Sequence, residues 1–253
     1  MLGGEVIHQT SDEYGNIEVV DYMQQIRALQ FGNETQQSAC LLCNPSFLVH
    51  NYAQAMTLPL CWIKPKRVLV LGLGAGSIVK YILNTFNDVE IDAIELRKEV
   101  YNVAIQYFNL PKKHERLNVF INSAQNWLNK TNNFQYDMII VDVFLTSHTG
   151  KDTTINLQSC HTQLYNLLTR NGVLSINYLN DNNIKCYPGM THLSSLFNQQ
   201  IYTVNIENIN SIILASKNKI PQVIENEKFS QVKKISSVSY QKYFHLMQAA
   251  PST

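Results

Sequence analysis

Three glycines spaced two apart, Gly72, Gly74 and Gly76, follow the apolar run "RVLVL" and lead into a segment of helical character that starts at Ser77. A glycine turn between a buried strand and a helix lets main chain come close to a ligand, because side chains there would collide with it. A dinucleotide site requires G-x-G-x-x-G, with a third glycine that packs the helix on the sheet while the helix start faces a pyrophosphate. In this chain that third position is Ser77. The spacing therefore fits a nucleoside without phosphates better, as in enzymes that use S-adenosylmethionine. Two acids close later apolar runs. Glu95 ends "EIDAIE", where a carboxylate can accept hydrogen bonds from both hydroxyls of a ribose. Asp142 ends "DMIIVD"; strand ends of this kind line the ligand crevice of a parallel sheet, and an acid there is costly to bury without a partner or a task. Plainer roles stay open at this point: a solvated strand-end carboxylate for Glu95, a helix cap or loop-bonding aspartate for Asp142.

Other chemistries find less support. Cys40 and Cys43 form a C-x-x-C around two leucines with no second pair, which argues against metal or redox work. Five cysteines, an odd number, suggest reduced thiols, and the seven histidines show no ligand spacing, so no metal is expected. Twenty Lys+Arg against nineteen Asp+Glu leave a formal charge of +1 without a basic stripe, so no nucleic-acid partner is expected. The N-terminus lacks a basic and apolar leader pattern, and no apolar run reaches the roughly eighteen residues of a spanning helix. The expectation is a cytoplasmic chain with no membrane partner.

Two textures position these residues. From residue 5 to about 40, short β-type runs alternate with turn signals and read as antiparallel hairpins. Asn44-Pro45 then reads as the start of a helix over 46–62, broken near Pro59. Lys64-Pro65-Lys66 suggests a boundary between an N-terminal β-hairpin domain with its connecting helix, 1–62, and a nucleoside-binding catalytic domain, 63–253. From Arg67 on, apolar strands alternate with helical segments around 76–86, 98–108, 123–130 and 157–169, the rhythm of βαβ units. "IYTVNI" and "SIILAS" read as an antiparallel hairpin at the sheet edge, the Asn-rich stretch 177–190 as a surface loop, and 240–248 as a last helix. The expected fold class is α/β: a class I methyltransferase-like Rossmann sheet, mostly parallel with an antiparallel hairpin at its edge, preceded by a small antiparallel β domain.

On these residues the chain resembles the spermidine synthase (polyamine aminopropyltransferase) family over nearly its whole length, and in particular its divergent bacterial spermidine-synthase-like branch. "SDEYGNIEVV", "IRALQFGN" and "QQSACL" resemble that family's hairpin domain, "LPLC" with "KPKRVLVLGLGAGS" its lead-in to the glycine loop, "AIELRKEVYNVAIQYF" its ribose-binding strand and helix, and "YDMIIVD" its catalytic strand. The resemblance implies attack of an amine or polyamine on the methylene beside the sulfonium of decarboxylated S-adenosylmethionine. It makes Asp142 the residue that deprotonates and orients the amine, Glu95 the ribose ligand, and Tyr14, Gln37 and the Gly72–Gly76 turn parts of the nucleoside pocket. It implies no metal, and a homodimer assembled near the N-terminal sheet. Several positions depart from the family pattern. Ala75 replaces the acid that helps hold the aminopropyl amine, and Ser123-Ala124 stand where Asp-Gly reaches the adenine amino group. Leu145 replaces an acid that grips the polyamine, and Asn51-Tyr52-Ala53 stand at a Tyr-(His/Gln)-Glu motif. Asp152 and Glu207 are candidates to compensate from loops. Two further functions remain open on the same fold: a methyltransferase using S-adenosylmethionine, and a catalytically degenerate nucleoside-binding or regulatory homologue.

Overall fold

A computed structural model describes residues 3–32, 36–130, 134–143, 146–147, 150–151, 158–179, 187–198, 200–224 and 238–250. Strands β1 (Glu5–Asp12), β2 (Gly15–Tyr22), β3 (Ile26–Gln30) and β4 (Gln36–Leu41) form an antiparallel sheet in chain order. Period-two alternation turns Ile17 and Val19 of β2 to one face, where they join Leu29 and Cys40 in a fully buried cluster with Val100, Val103 and Phe108.

The helix expected over 46–62 is shorter. Leu41 and Asn44 form a β-bridge, and the Phe47 amide donates to the Asn44 carbonyl at 3.0 Å, so Asn44-Pro45 closes a turn and caps no helix. Helix α1 is Asn51–Met56, followed by a 3-10 turn, Leu58–Cys61, with Pro59 in its first positions, where the break was expected.

The larger sheet has eight strands. Its centre is β5 (Arg67–Leu71), flanked on one side by β6 (Glu90–Glu95) and β7 (Leu117–Ile121), and on the other by β8 (Tyr136–Val141) and β11 (Leu168–Leu179). These five are parallel. Strands β13 (Asn210–Ser216), β12 (Ile201–Ile206) and β14 (Met247–Ala249) continue the sheet antiparallel, and a separate two-stranded ribbon pairs β9 (Thr146–Ser147) with β10 (Gly150–Lys151). Both faces of the large sheet are covered. Val68 and Val70 of β5 face a core with α2 (Ser77–Thr85), while Leu69 and Leu71 face a second core with α4 (Ala124–Lys130), α5 (Gln158–Leu167) and α6 (Met190–Leu196). Burial on both sides explains the nearly unbroken apolar runs of β5 and β8.

Two further elements depart from the sequence expectation. Helix α6 lies where none was expected, and the last helix, α7 (Gln241–Leu246), is cut short because residues 247–249 extend and pair with β12. Strand order reverses at β5, with β6 on one side and β8 on the other. That is the topological switch point of an open parallel sheet, and its crevice opens at the carboxyl ends of β5 and β8.

Candidate functional site

Gly72, Gly74 and Gly76 all hold positive φ, at +93°, +53° and +70°. At Gly72 there is a second constraint: a Cβ would sit 2.1 Å from the Asp142 carbonyl oxygen. The ends of β5 and β8 therefore touch main chain to main chain, and the Asp142 amide donates to the Leu71 carbonyl at 2.8 Å. The glycine that the turn requires is also the one that lets Asp142 stand beside it.

Glu95 ends β6 almost fully buried and is held by main chain. The Leu73 and Gly74 amides donate to its Oε2 at 3.1 and 3.2 Å, and the Arg97 amide to its Oε1 at 2.9 Å. Burial pushes its carboxyl above the usual range against the pull of these amides and of the Arg97 charge. A carboxylate has about four acceptor positions, so three amides leave one for a ribose hydroxyl. Glu95 both shapes the glycine loop and faces the ligand space.

The Arg97 side chain anchors this loop to the small sheet. Its Nη2 donates to Asp12 Oδ1 at 2.7 Å, its Nε to Asp12 Oδ2 at 2.9 Å, and its Nη2 also to the Gly15 carbonyl at 2.8 Å. The guanidinium lies 4.5 Å from the Phe31 ring centroid.

Asp142 is half-buried. Burial pushes its carboxyl up to about 6, against the hydrogen bond donated by Asn177 Nδ2 to Oδ1 at 2.9 Å. Tyr52 stands close enough that the Asp142 charge, after burial, raises its phenol further; its hydroxyl donates to the Gln37 carbonyl at 3.1 Å.

These groups line one cleft of about 620 Å³, within the range of small-molecule sites. Gln37, Gly72, Gly74, Glu95, Ala124 and Asp142 are on its wall. Gly76, Ser123 and Tyr14 stand apart from it. Gly76 is the left-handed residue before α2, its Cβ position occupied by Leu110 at 2.8 Å. Ser123 Oγ accepts from the Asn126 amide at 3.1 Å at the start of α4. Tyr14 is 44% exposed in the β1–β2 turn, its ring centroid 5.9 Å from the Arg97 guanidinium. Leu145 and Asp152 lie outside the described residues. Glu207 reaches the cleft wall, as do Arg97, Asn177 and His50, to which no role was assigned from sequence. Arg97 was the most legible of these, two residues beyond Glu95 and so beside the same loop.

Ala75 is fully buried against the small sheet's cluster. There it packs with Ile17, Val19 and Leu29, so the position serves the contact between the glycine loop and the small sheet. Among the described residues no group of three or more His, Cys, Asp or Glu side chains is placed to hold a metal ion.

Comparison with known proteins agrees with this fold. The polyamine aminopropyltransferase of Chromobacterium violaceum is 33% identical over 120 residues, which cover 47% of this chain and 46% of that protein. The match thus spans about half the length of that relative. A spermidine synthase solved in complex with the transition-state analogue AdoDATO superposes with a TM-score of 0.76 over 97% of this chain and 85% of that one, at 17% identity. Human methyltransferase-like protein 13, solved in complex with SAH, superposes at 0.61 over 81% of this chain and 96% of that one, at 20% identity. At these identities the two structures establish the fold. The family model for the spermine/spermidine synthase domain matches residues 49–187, more than half of the sequence and including the glycine loop, Glu95 and Asp142, and the chain belongs to that family.

Proposed function

We propose that this chain transfers an aminopropyl group from decarboxylated S-adenosylmethionine to an amine, with Asp142 as the base. The observation that carries the proposal is the placement of a half-buried carboxyl with a pKa of about 6 at the switch point, in the same cleft as the buried, loop-bound Glu95. The amine nitrogen attacks the methylene carbon beside the sulfonium. The carbon–sulfur bond breaks, its electron pair stays on sulfur, and neutral methylthioadenosine leaves. The new carbon–nitrogen bond makes an ammonium, which loses its proton to the Asp142 carboxylate. Above pH about 6 that carboxylate is ionised and can accept an N–H of the attacking amine, which aligns the nitrogen lone pair and gives the released proton a place to go. The cleft supplies position and exclusion of water, which such a displacement needs most.

The adenosyl donor is supported by Glu95 and by the ligands named for the two solved neighbours. The decarboxylated form is supported by charge. Among the described residues on the cleft wall the one arginine, Arg97, is already paired with Asp12, so the wall offers no unpaired cation to a methionine carboxylate. The proposal includes a homodimer formed near the four-stranded sheet, where Val6, Tyr14 and Met23 are large exposed apolar side chains. It also includes a cytoplasmic setting, which suits the free thiols of Cys40, Cys43, Cys61 and Cys160. Calorimetric titration tests the donor: methylthioadenosine and the decarboxylated donor should bind, and S-adenosylmethionine more weakly. Tighter binding of S-adenosylmethionine than of its decarboxylated form would favour methyl transfer.

A further inference from the structure

Asp142 borders two spaces. One is the cleft; the other is a void of about 20 Å³ beside the glycine loop, which also lies against Ser38, Ser77 and His50. A void of that size has room for about one water, and these four residues offer it polar partners. His50 lines both spaces as well, and its imidazole is set apart by its two nitrogens, its anchoring and its charge.

Nε2 is buried without a partner, whereas Nδ1 is solvent-accessible and takes no hydrogen bond from a described residue. The ring is held in place. It stacks on Tyr52 with centroids 5.5 Å apart and planes at 18°. Its segment is tied to α1, because the Gln54 amide donates to the His50 carbonyl at 3.2 Å and Gln54 Nε2 to the Leu48 carbonyl at 2.6 Å. Burial lowers the imidazole pKa, against the charge of Glu207 in the β12–β13 turn, so near neutral pH the ring is uncharged. The Tyr52 phenol beside it, raised by burial and by the Asp142 charge, stays protonated. In a neutral imidazole one nitrogen accepts and the other carries a proton, so an acceptor at Nε2 puts that proton on Nδ1.

We propose that His50 carries away the proton that the incoming amine must lose before it can attack. Near pH 7 a primary alkyl amine arrives as its ammonium, as a lysine side chain would, and an ammonium has no lone pair. With donor and acceptor filling the cleft, Asp142 can take that proton but must pass it on before it can accept again. The void gives the proton a way out on the other side of the residue. A water there takes the proton from the Asp142 carboxyl and passes one of its own to His50 Nε2. The Nδ1 proton leaves to solvent, and rotation about Cβ–Cγ turns the bare nitrogen back to the void. One proton enters the relay and one leaves it. This role rests on the transferase proposal above, since it needs Asp142 to gain a proton in each turnover.

The test follows aminopropyl transfer from decarboxylated S-adenosylmethionine to 1,4-diaminobutane in the wild type, His50→Gln and His50→Ala. Both variants should lose about a hundredfold in kcat, the low end for a positioned acid or base, with methylthioadenosine affinity within about twofold of wild type. Added imidazole should restore the kcat of His50→Ala severalfold as its concentration rises, because a free base can occupy the space of the lost ring, and should leave the wild type unchanged. A histidine that only supports the fold gives no such rescue. Melting temperatures check that both variants are folded. Wild-type kcat in a folded His50→Gln protein, or no imidazole rescue of a folded His50→Ala protein, would overturn the relay and leave the transferase proposal standing. No transfer by the wild type would overturn the transferase proposal itself and the relay with it.

Discussion

Asn177 donates to Asp142 at 2.9 Å and accepts from Asn210 Nδ2 at 2.9 Å, so two amides on β11 and β13 tie the Asp142 carboxylate to the edge hairpin. The Asn177 bond is what holds the Asp142 pKa down against burial. Asn177→Ala should therefore move the acid limb of the kcat/KM profile upward from about pH 6. Loss of one hydrogen bond to a charged group should also lower kcat about tenfold or more. A purely structural asparagine would change the melting temperature and leave the position of that limb alone.

Asp142→Asn separates chemistry from binding. Turnover should fall about 10²- to 10⁴-fold while methylthioadenosine affinity changes little, because asparagine keeps the shape and the acceptor facing Asn177. Stability gives an independent reading. The folded-state pKa of about 6 lies above the ordinary aspartate value of 3.8, so the native state binds the extra proton between them. The stabilisation this provides is full below the lower value and is lost as pH rises through the upper one. The wild type should thus lose stability relative to Asp142→Asn between about pH 4 and 6, as melting curves at pH 4 and pH 8 would show.

Glu95→Gln should weaken methylthioadenosine about ten- to a hundredfold. The glutamine amide cannot accept from both the Arg97 amide and the loop amides, so the glycine turn should loosen as well. Unchanged affinity would remove Glu95 from the donor site.

The Asp12–Arg97 pair ties the small sheet to the loop around Glu95. Arg97 is 4% and Asp12 17% exposed, and removing one partner leaves the other poorly solvated, so Asp12→Asn should cost about 3 kcal/mol near neutral pH. Burial raises the Asp12 carboxyl, but the Arg97 hydrogen bonds and charge and the Tyr14 amide outweigh it and leave it lowered. Its contribution is therefore present above the unfolded pKa and lost as pH falls through the folded one. The difference in melting temperature between wild type and variant should shrink in acid. Donor affinity should fall too, because the Arg97 amide is a ligand of Glu95.

Local pattern made the sheet legible. Both faces of β5 and β8 are buried, so their apolar runs were unmistakable, and the alternation with helices gave the parallel order. The acids at the tips of β6 and β8 were legible because topology alone sends strand ends into the crevice. What failed depended on context. Asn44-Pro45 has the residues of a helix start and forms a turn bridged to Leu41 instead. Residues 247–249 have helical neighbours, yet β12 offers an open edge and they pair with it. His50, Asn51 and Glu207 meet across more than 150 positions of sequence, and no spacing announces such a cluster. Ala75 stood out in the sequence only as a missing acid; its complete burial in the small sheet's apolar cluster is a matter of tertiary packing.

The most direct measurement is the product ratio. The protein is incubated with 1,4-diaminobutane and either decarboxylated S-adenosylmethionine or S-adenosylmethionine, and the products are separated by mass. With the decarboxylated donor one methylthioadenosine should form per aminopropylated amine, with little reaction of the other donor and loss of both products in Asp142→Asn. Methylated amine from S-adenosylmethionine, or full aminopropyl transfer by Asp142→Asn, would rule out aminopropyl transfer with Asp142 as the base.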